Sequence, residues 1–281
     1  MRIVADSGCD LPDNIKTEIK QGTAEQIEIV PITVQIDEQN FVDDRNLDMP
    51  SFLNEMGKSK KAIKTAAPSP MLYFERFKES GSVFVVTLSS KISASYQNAM
   101  IAKNQYLEEV GNKFIHIFDS FSASAGQTLI ALKIKELINK KVPETEIVAK
   151  VTDYINTMNT YFVLEKYDNL VKNGRVSPYV AKIAGLFSIY PICGGIDGKI
   201  EMIDKARGAK RALDKLVTMI ASKKVDFEDR TLAISHSSCL DKALEYKEKI
   251  LSVVKFKDVI INETSGAIST YADRGGIVVS F

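Results

Sequence analysis

Short apolar segments alternate with amphipathic segments over the first two thirds of this chain. Residues 2–6, 82–87 and 114–118 are apolar runs with the length of buried strands. Residues 93–110 and 122–140 follow two of these runs and carry apolar side chains at helical spacing. Because strands that alternate with helices usually pair in parallel, this order predicts an α/β domain built on a parallel sheet.

Three further segments extend the pattern. A short helix is expected over residues 13–21 and another over residues 69–80. Residues 27–36 have the composition of a strand, but they contain Pro31. Because proline cannot donate a hydrogen bond to a neighbouring strand, Pro31 indicates an interruption or a sheet edge.

The pattern changes after residue 144. A helix is expected up to residue 159, followed by a strand and a short helix that closes at Gly174. Residues 188–203 are interpreted as two strands joined by Asp197-Gly198, a dipeptide typical of tight hairpins. The last strands are expected at 231–235, 258–263 and 276–281, with helices at 209–222 and 240–254. We therefore predict a second α/β domain with a mixed or antiparallel sheet, and divide the chain into residues 1–159 and 160–281.

Charge and cysteine content exclude several classes of function. The chain has 281 residues, with 37 basic and 36 acidic side chains, so it lacks the electrostatic footprint of a nucleic-acid-binding protein. Its three cysteines, Cys9, Cys193 and Cys239, are too few and too far apart for a disulfide framework or a zinc site. The first residues lack the apolar region of a secretory signal, and the longest apolar runs are too short to span a bilayer. A cytoplasmic protein is expected.

Small hydroxyl side chains are concentrated where the strand at 82–87 runs into a helix. The segment LSSKISASYQ, residues 88–97, contains four serines, and Asp6-Ser7 and Asp119-Ser120 follow two other strands. Ligands of parallel α/β sheets bind at the carboxyl ends of the strands, but Ser and Asp also favour helix N-caps. The serines therefore suit helix capping, anion binding or nucleophilic attack.

Nucleophilic attack and nucleotide binding have weak support. A serine hydrolase needs a base beside its nucleophile, and this chain does not contain the G-x-S-x-G motif that places a nucleophilic serine. Of the two histidines, His236 at a strand end is the better candidate base for Ser93. The GGIDGK segment lacks the spacing of a phosphate-binding loop. No ligand spacing for a metal is present, and no cofactor is expected. Anion binding remains, with Thr65 in KTAAPSP as a second candidate.

Six segments together resemble the DegV family, in that family's order and over nearly the whole chain. They are DSGCDLP (6–12), TAAPSP (65–70), LSSKISASYQNA (88–99), DSFSASAGQ (119–127), LVKNGRVSP (170–178) and KARGAKRAL (205–213). The resemblance implies a two-domain fatty-acid-binding protein, with the ligand between the domains. It also implies that hydroxyls at Thr65 and Ser93 hold the carboxylate, with Arg175 close by. Ser90 and Ser95 are expected to supply capping or supporting bonds.

The resemblance also implies a partner. Family members present the bound acid to a fatty acid kinase, which phosphorylates the carboxyl group for phospholipid synthesis. In this chain Arg207 matches an arginine expected to dock the kinase, and Lys210 is expected to extend that surface. The chain would then be a carrier and kinase subunit without a catalytic centre of its own, with transient membrane contact.

The chain departs from the family pattern at the head-group site. Tyr271 stands where the family has a histidine expected to bind the carboxylate, and Arg274 stands at a family proline. A tyrosine hydroxyl can donate the same bond, but it is longer and does not titrate near neutral pH. Tyr271 makes a carrier of another anionic apolar ligand an alternative, and a stand-alone acyl hydrolase using Ser93 and His236 also stays open. The wall of an acyl tunnel is expected to include Ile92, Ile183, Phe187 and Ile189.

Overall fold

A computed structural model describes residues 1–12, residue 15 and residues 27–281. Its strands are β1 (Arg2–Asp6), β2 (Ile27–Val30), β3 (Thr33–Ile36), β4 (Gln39–Val42), β5 (Lys64–Ala66), β6 (Val83–Thr87), β7 (Ile115–Asp119), β8 (Thr160–Val163), β9 (Ile189–Ile196), β10 (Lys199–Arg207), β11 (Thr231–His236), β12 (Asp258–Glu263) and β13 (Ile277–Ser280). Its helices are α1 (Met49–Lys58), α2 (Pro70–Phe77), α3 (Ser95–Glu109), α4 (Ala125–Asn139), α5 (Glu144–Thr157), α6 (Asp168–Lys172), α7 (Pro178–Ala184), α8 (Ala209–Ala221), α9 (Leu240–Leu251) and α10 (Gly266–Ala272), with a 3-10 turn at Phe227–Asp229. The helix expected over residues 13–21 lies outside the described residues, except for residue 15.

The N-terminal domain is built on a parallel sheet, which confirms the prediction from the alternating pattern. Its described strands lie in the order β2-β1-β6-β7, and every pairing is parallel. Alternate side chains of β6 point to opposite faces, where α4 and α5 cover one side and α2 and α3 the other. Because both faces of the sheet are covered, β6 is buried along its whole length, and four of its five residues are apolar.

A small antiparallel sheet branches off where Pro31 interrupts the strand expected at 27–36. β2 ends before this proline and stays at the edge of the parallel sheet. β3 begins after it and pairs with β4 and β5 in a separate sheet. The interruption predicted at Pro31 is thus confirmed. Because β3 belongs to the separate sheet, it pairs with β5 and places Thr65 of β5 opposite Val34.

The C-terminal domain is built on a mixed sheet, as predicted. Its described strands lie in the order β10-β9-β8-β13-β11-β12, and all pairings are antiparallel except that of β11 with β12. The β9–β10 hairpin turns at Asp197 and Gly198, whose φ angles of 49° and 77° are both left-handed. This is the turn geometry that an Asp-Gly dipeptide favours between antiparallel strands.

Helix α4 packs against both sheets. Ile130 and Ile134 contact the parallel sheet, whereas Ala125 and Leu129 join a cluster with Phe162 of β8. Helices α8 and α9 cover the opposite face of the mixed sheet. The division between residues 159 and 160 stays a prediction, and it falls in the short connection between α5 and β8. No helix among the described residues is long and apolar enough to cross a bilayer.

Candidate functional site

An apolar cavity of about 210 Å³ lies between residues of the two halves of the chain. Its walls come from the loops after β5 and β6, from β8 and β10, and from α10. Most of the side chains that line it are apolar, and they include Ile32, Leu88, Ile92, Phe162, Leu164, Leu170, Ile200, Ile268 and Val278. Such a surface suits a hydrocarbon, because apolar area is favourable to remove from water.

Two hydroxyls from distant parts of the sequence meet on this cavity. Thr65 Oγ1 and Tyr271 OH lie 2.7 Å apart, and both side chains line the cavity. Thr65 is held by the pairing of β5 with β3, and Tyr271 by α10. Only one proton can lie between the two oxygens, so the hydroxyl that accepts it keeps its own proton for another acceptor.

Arg175 lies beside this pair. Arg175 comes directly after the short helix α6 and Gly174. The φ of Gly174 is 70°, a left-handed backbone conformation that glycine adopts readily. Nε–H donates to the Ile92 carbonyl at 3.2 Å and Nη1–H to the Asn173 carbonyl at 2.6 Å. The guanidinium also lies 5.8 Å from the centre of the Tyr271 ring. Arg175 is thus fixed in place while other N–H groups stay available.

Ser93 lines the same cavity from the loop between β6 and α3. The N–H groups of Ile92 and Ser93 both donate to the Ser89 carbonyl at 3.1 Å, which folds this loop into a tight turn. The Ser93 hydroxyl oxygen accepts the Ser95 N–H at 3.2 Å, and no hydroxyl partner of Ser93 appears among the described residues. Thr65, Ser93, Tyr271 and Arg175 are therefore brought to one cavity, although their role as ligand contacts stays a prediction.

Ser95 and Ser90 are placed elsewhere. Ser95 is buried, and its hydroxyl donates to Asp6 Oδ2 at 2.5 Å while accepting from Tyr73 OH at 2.7 Å. Ser90 is exposed, and its N–H donates to Asp119 Oδ1 at 3.1 Å. Neither serine lines the cavity. The bond from Ser95 to Asp6 lies at the start of α3, and the supporting role expected for Ser90 and Ser95 stays a prediction.

Asp6 organises the loop that carries Ser93. Its carboxylate accepts the N–H groups of Gly8 at 3.0 Å and Leu88 at 2.8 Å, and the side chains of Ser95 and Gln127. Burial raises the pKa of the Asp6 carboxyl, while these four hydrogen bonds oppose the rise. The carboxylate thereby ties the ends of β1 and β6 to α4.

Asp43 organises the helix that carries Tyr271, and the sequence offered no motif that would have singled it out. Its carboxylate accepts the N–H groups of Gly266 at 2.8 Å and Ala267 at 2.9 Å, the first two residues of α10. Asp10 accepts the Ser265 N–H at 2.8 Å just before them. Burial raises the pKa of Asp43 to about 6, and the nearby Asp10 contributes to the rise.

His236 is not brought to the cavity that Ser93 lines. It lies at the end of β11, where its Nδ1 accepts the Cys239 N–H at 3.3 Å. The base that a hydrolase would need beside Ser93 is therefore absent from the described lining of the cavity. Nor do the described residues contain a cluster of His, Cys, Asp and Glu able to hold a metal.

The remaining predicted residues lie on the surface or in the wall. Arg207 and Lys210 are exposed at the junction of β10 and α8, away from the cavity lining. Of the expected wall residues, Ile92 lines the cavity. Phe187 does not line it, because its side chain is 85% exposed in the loop after α7. Ile183 and Ile189 also lie outside the described lining.

Curated relatives and solved structures resemble the chain over its full length. A DegV domain-containing protein of Streptococcus pyogenes is 35% identical over 281 residues, which is 100% of this chain and 98% of the relative. A DegV family protein of Ruminococcus gnavus, solved with vaccenic acid, is 36% identical with a TM-score of 0.93, covering 100% of this chain and 99% of that one.

The fatty acid kinase (Fak) B3 protein of Streptococcus pneumoniae, solved with linoleic acid, is similar to the same extent in fold. It is 31% identical with a TM-score of 0.90, covering 100% of this chain and 98% of that one. A family model described as an uncharacterised protein of the DegV family matches residues 1–281. The full-length match, together with these relatives, shows that the chain belongs to the DegV family.

Proposed function

We propose that this protein binds a long-chain fatty acid, with the carboxylate at Thr65, Ser93, Tyr271 and Arg175. The observation that carries the proposal is the convergence of these four polar side chains on one otherwise apolar cavity. The relatives from Ruminococcus gnavus and Streptococcus pneumoniae, whose structures contain vaccenic and linoleic acid, support the same ligand class.

The head-group chemistry follows from the donors present. The Thr65–Tyr271 pair has one proton to offer, Ser93 has its hydroxyl proton, and Arg175 has the N–H groups that do not reach the backbone. A carboxylate accepts such bonds in its ionised form, and hydrogen bonds to a charged group are worth about 1.5 to 3 kcal/mol. Tyr271 supplies an uncharged hydroxyl donor at the position where the family has a histidine.

The acyl chain supplies the larger share of the affinity. Transfer of a methylene from water to an apolar wall is worth about 0.8 kcal/mol. Side chains such as Phe162, Leu164 and Ile268 provide that wall. A long hydrocarbon is therefore favoured over a short one, and the cavity between the domains of residues 1–159 and 160–281 is its place in this proposal.

We further infer that the bound acid is presented to a fatty acid kinase, and that the protein has no catalytic centre of its own. The Streptococcus pneumoniae relative is a fatty acid kinase (Fak) B3 protein, which supports this partnership. Arg207 and Lys210 are exposed and available for docking. In this proposal the kinase reaches the head group beside Ser93, whose side chain lines the cavity and is only partly buried.

Transient membrane contact and a cytoplasmic location complete the proposal. Helix α7 and the loop after it expose Tyr179, Leu186 and Phe187 by 56%, 52% and 85%. Apolar side chains this exposed are typical of surfaces that contact a partner or a lipid interface. Free thiols at all three cysteines fit the reducing cytoplasm.

Native mass spectrometry of the purified protein, followed by extraction and identification of the ligand, tests the carrier proposal first. A one-to-one fatty acid adduct is expected. A different anionic lipid would favour the other carrier alternative, and a protein that is empty and binds neither palmitate nor oleate would refute fatty-acid binding. Turnover of an acyl ester that is lost in Ser93→Ala would instead establish the hydrolase.

The kinase partnership is tested separately with Arg207→Ala. Fatty acid affinity should stay unchanged, because Arg207 lies away from the cavity, while kinase-dependent acyl phosphate formation should fall. Lys257→Ala is the matched control, because Lys257 is exposed beside β12, at the opposite edge of the mixed sheet from β10. Equal rates for wild type and Arg207→Ala would remove Arg207 from the interface.

A further inference from the structure

Strand β9 contains two consecutive glycines, Gly194 and Gly195, and packing explains only the first of them. A Cβ on Gly194 would lie 2.5 Å from Ile203 Cδ1 and 2.9 Å from the Thr160 carbonyl oxygen, so a side chain there requires the backbone to shift. A Cβ on Gly195 would meet the Phe121 carbonyl oxygen at 3.4 Å, which is an ordinary contact. Among the described residues, no other atom outside the adjoining residues lies within 4 Å of that point. The fold therefore has room for a side chain at position 195 but not at position 194.

The backbone conformation does not require a glycine at position 195 either. Gly195 pairs with Ile200 across the β9–β10 hairpin, and its φ lies outside the left-handed region that favours glycine. Glycine loses more conformational freedom on folding than any other residue and has no side chain to pack, so it weakens a strand. A glycine that costs stability, and that neither backbone nor packing requires, indicates a requirement of another kind.

The missing side chain of Gly195 faces the ligand cavity. Residues directly opposite each other in an antiparallel pair point to the same face of the sheet, and Ile200, the partner of Gly195, lines the cavity. Gly195 and Phe121 line it as well, and Phe121 is 43% exposed. The absent side chain thus leaves a gap between two apolar residues, Ile200 and Phe121. A hydrocarbon that fills this gap removes apolar surface of both from water, which is favourable.

The shape of this gap discriminates between acyl chains. A straight chain has a nearly constant width, and it leaves a gap in the wall unfilled and without contacts. A cis double bond bends the chain and displaces part of it sideways. We propose that Gly195 is a specificity-determining residue, and that the gap beside it accommodates the bend of a cis-unsaturated fatty acid. The inference rests on the proposed fatty acid carrier function and names the class of fatty acid that is bound best.

The test compares isomers of identical composition. Palmitoleate has a cis double bond, palmitelaidate is its nearly straight trans isomer, and palmitate is the saturated reference. All three are titrated into delipidated wild-type protein, Gly195→Ala and Gly195→Val. Ile196→Val is the matched control, because Ile196 adjoins Gly195 in β9 but is not among the residues that line the cavity.

The wild type should bind the cis isomer about tenfold more tightly than the trans isomer, because one methylene more or less in an apolar pocket changes affinity by about this factor. Gly195→Val should lower the affinity for the cis isomer about tenfold and leave the trans isomer and palmitate within about twofold, with a smaller cis-specific loss in Gly195→Ala. Ile196→Val should retain the wild-type ratio. The denaturation midpoint should not fall in Gly195→Ala, because alanine is compatible with this backbone, but it should fall in Gly194→Ala.

The ratio of cis to trans affinity decides the proposal, because a general loosening of the fold would lower both affinities. Equal losses for the two isomers, no loss for either, or a wild type that does not distinguish them would overturn the role of Gly195 and leave the carrier function intact. A lower denaturation midpoint in Gly195→Ala would overturn the argument that position 195 has room for a side chain. If Gly195→Val does not fold, the ratio in Gly195→Ala decides in the same way. A wild-type protein that binds none of the three acids would overturn the carrier proposal itself.

Discussion

Two clusters of hydroxyl and amide donors lie on either side of the loop between β6 and α3. They differ in whether the protein itself supplies a carboxylate that accepts their hydrogen bonds. On the inner side, the Asp6 carboxylate receives hydrogen bonds from Ser95, Gln127 and two backbone N–H groups. On the cavity side, the hydroxyls of Thr65 and Tyr271 hydrogen-bond only to each other among the described residues, and the Ser93 hydroxyl accepts one backbone N–H from that part of the chain. The inner cluster contains its own carboxylate, whereas the described lining of the cavity contains no Asp or Glu side chain.

This difference explains how similar residues serve different purposes. Hydroxyls that surround a carboxylate of the chain are saturated, so they stabilise the fold. Hydroxyls that face an apolar cavity without a carboxylate retain donors, so they suit an anionic ligand. Asp6 and the proposed fatty acid head group are thus chemically equivalent acceptors, one supplied by the protein and the other by the ligand.

The largest effect is expected when the inner carboxylate is removed. Asp6→Ala leaves four buried donors without their acceptor, and we expect the free energy of unfolding to fall by on the order of 3 kcal/mol or more. Denaturant unfolding monitored by circular dichroism measures this change. Asp6→Asn, which keeps one carbonyl oxygen, should lose less. A loss below about 1 kcal/mol in Asp6→Ala would contradict the comparison.

The outer cluster should show the opposite behaviour. Ser93→Ala and Thr65→Val each remove a donor to a charged head group, and we expect fatty acid affinity to fall by about tenfold. Their free energy of unfolding should change by less than about 1 kcal/mol, because the cavity side is only partly buried. Isothermal titration with palmitate and a parallel denaturation curve separate the two quantities. Wild-type affinity in both variants would disprove the head-group assignment.

The buried carboxyl of Asp43, which anchors the helix of Tyr271, makes a further prediction about how stability depends on pH. Burial raises its pKa from 3.8 to about 6, so the folded state binds a proton more tightly than the unfolded state. The associated stability is fully present below the unfolded pKa and is lost as pH rises through about 6. Between about pH 5 and pH 7, the free energy of unfolding of the wild type should therefore fall by about 1 kcal/mol more than that of Asp43→Asn. A wild-type-minus-variant difference that stays flat over this range would contradict the shifted pKa.

The smallest effect is expected from Tyr271→His. Above the imidazole pKa of about 6.5 the variant keeps a neutral donor, so fatty acid affinity should stay within about threefold of wild type. As pH falls through that value, the imidazole gains a positive charge and affinity for the carboxylate should rise relative to wild type. Titrations at several pH values measure the ratio. A ratio that does not vary with pH would show that residue 271 does not face the head group.

Long periodic segments were predictable from the sequence, whereas short polar ones were not. The strands at 2–6 and 82–87 and the helix at 122–140 appear in the structure within a few residues of their expected bounds. Helix α1 and strands β4 and β5 were not anticipated. Strand β5 has three residues, and β4 is largely exposed, so neither shows the alternation by which a strand is predicted.

An anion site at Thr65 and the serines of residues 88–97 was predictable from the residues, but the choice of Ser93 and the inclusion of Arg175 and Tyr271 depended on the resemblance to a family. Thr65, Ser93, Arg175 and Tyr271 were named from matching segments, and the structure places all four on one cavity. Periodicity alone would not have distinguished Ser93 from Ser95, because both precede or open the same helix. Their roles separate because Ser95 turns inward to a buried carboxylate 89 positions away in sequence.

The sequence by itself determined the alternation of strands and helices along the chain, the parallel and mixed sheet types and the hairpin at Asp197-Gly198, because these depend on local periodicity and turn chemistry. Only the tertiary structure decided which hydroxyls face the cavity and how Asp43 anchors the helix of Tyr271. These features join residues that are far apart in the chain. Their contacts depend on how the two sheets pack across α4, and no local pattern encodes that packing.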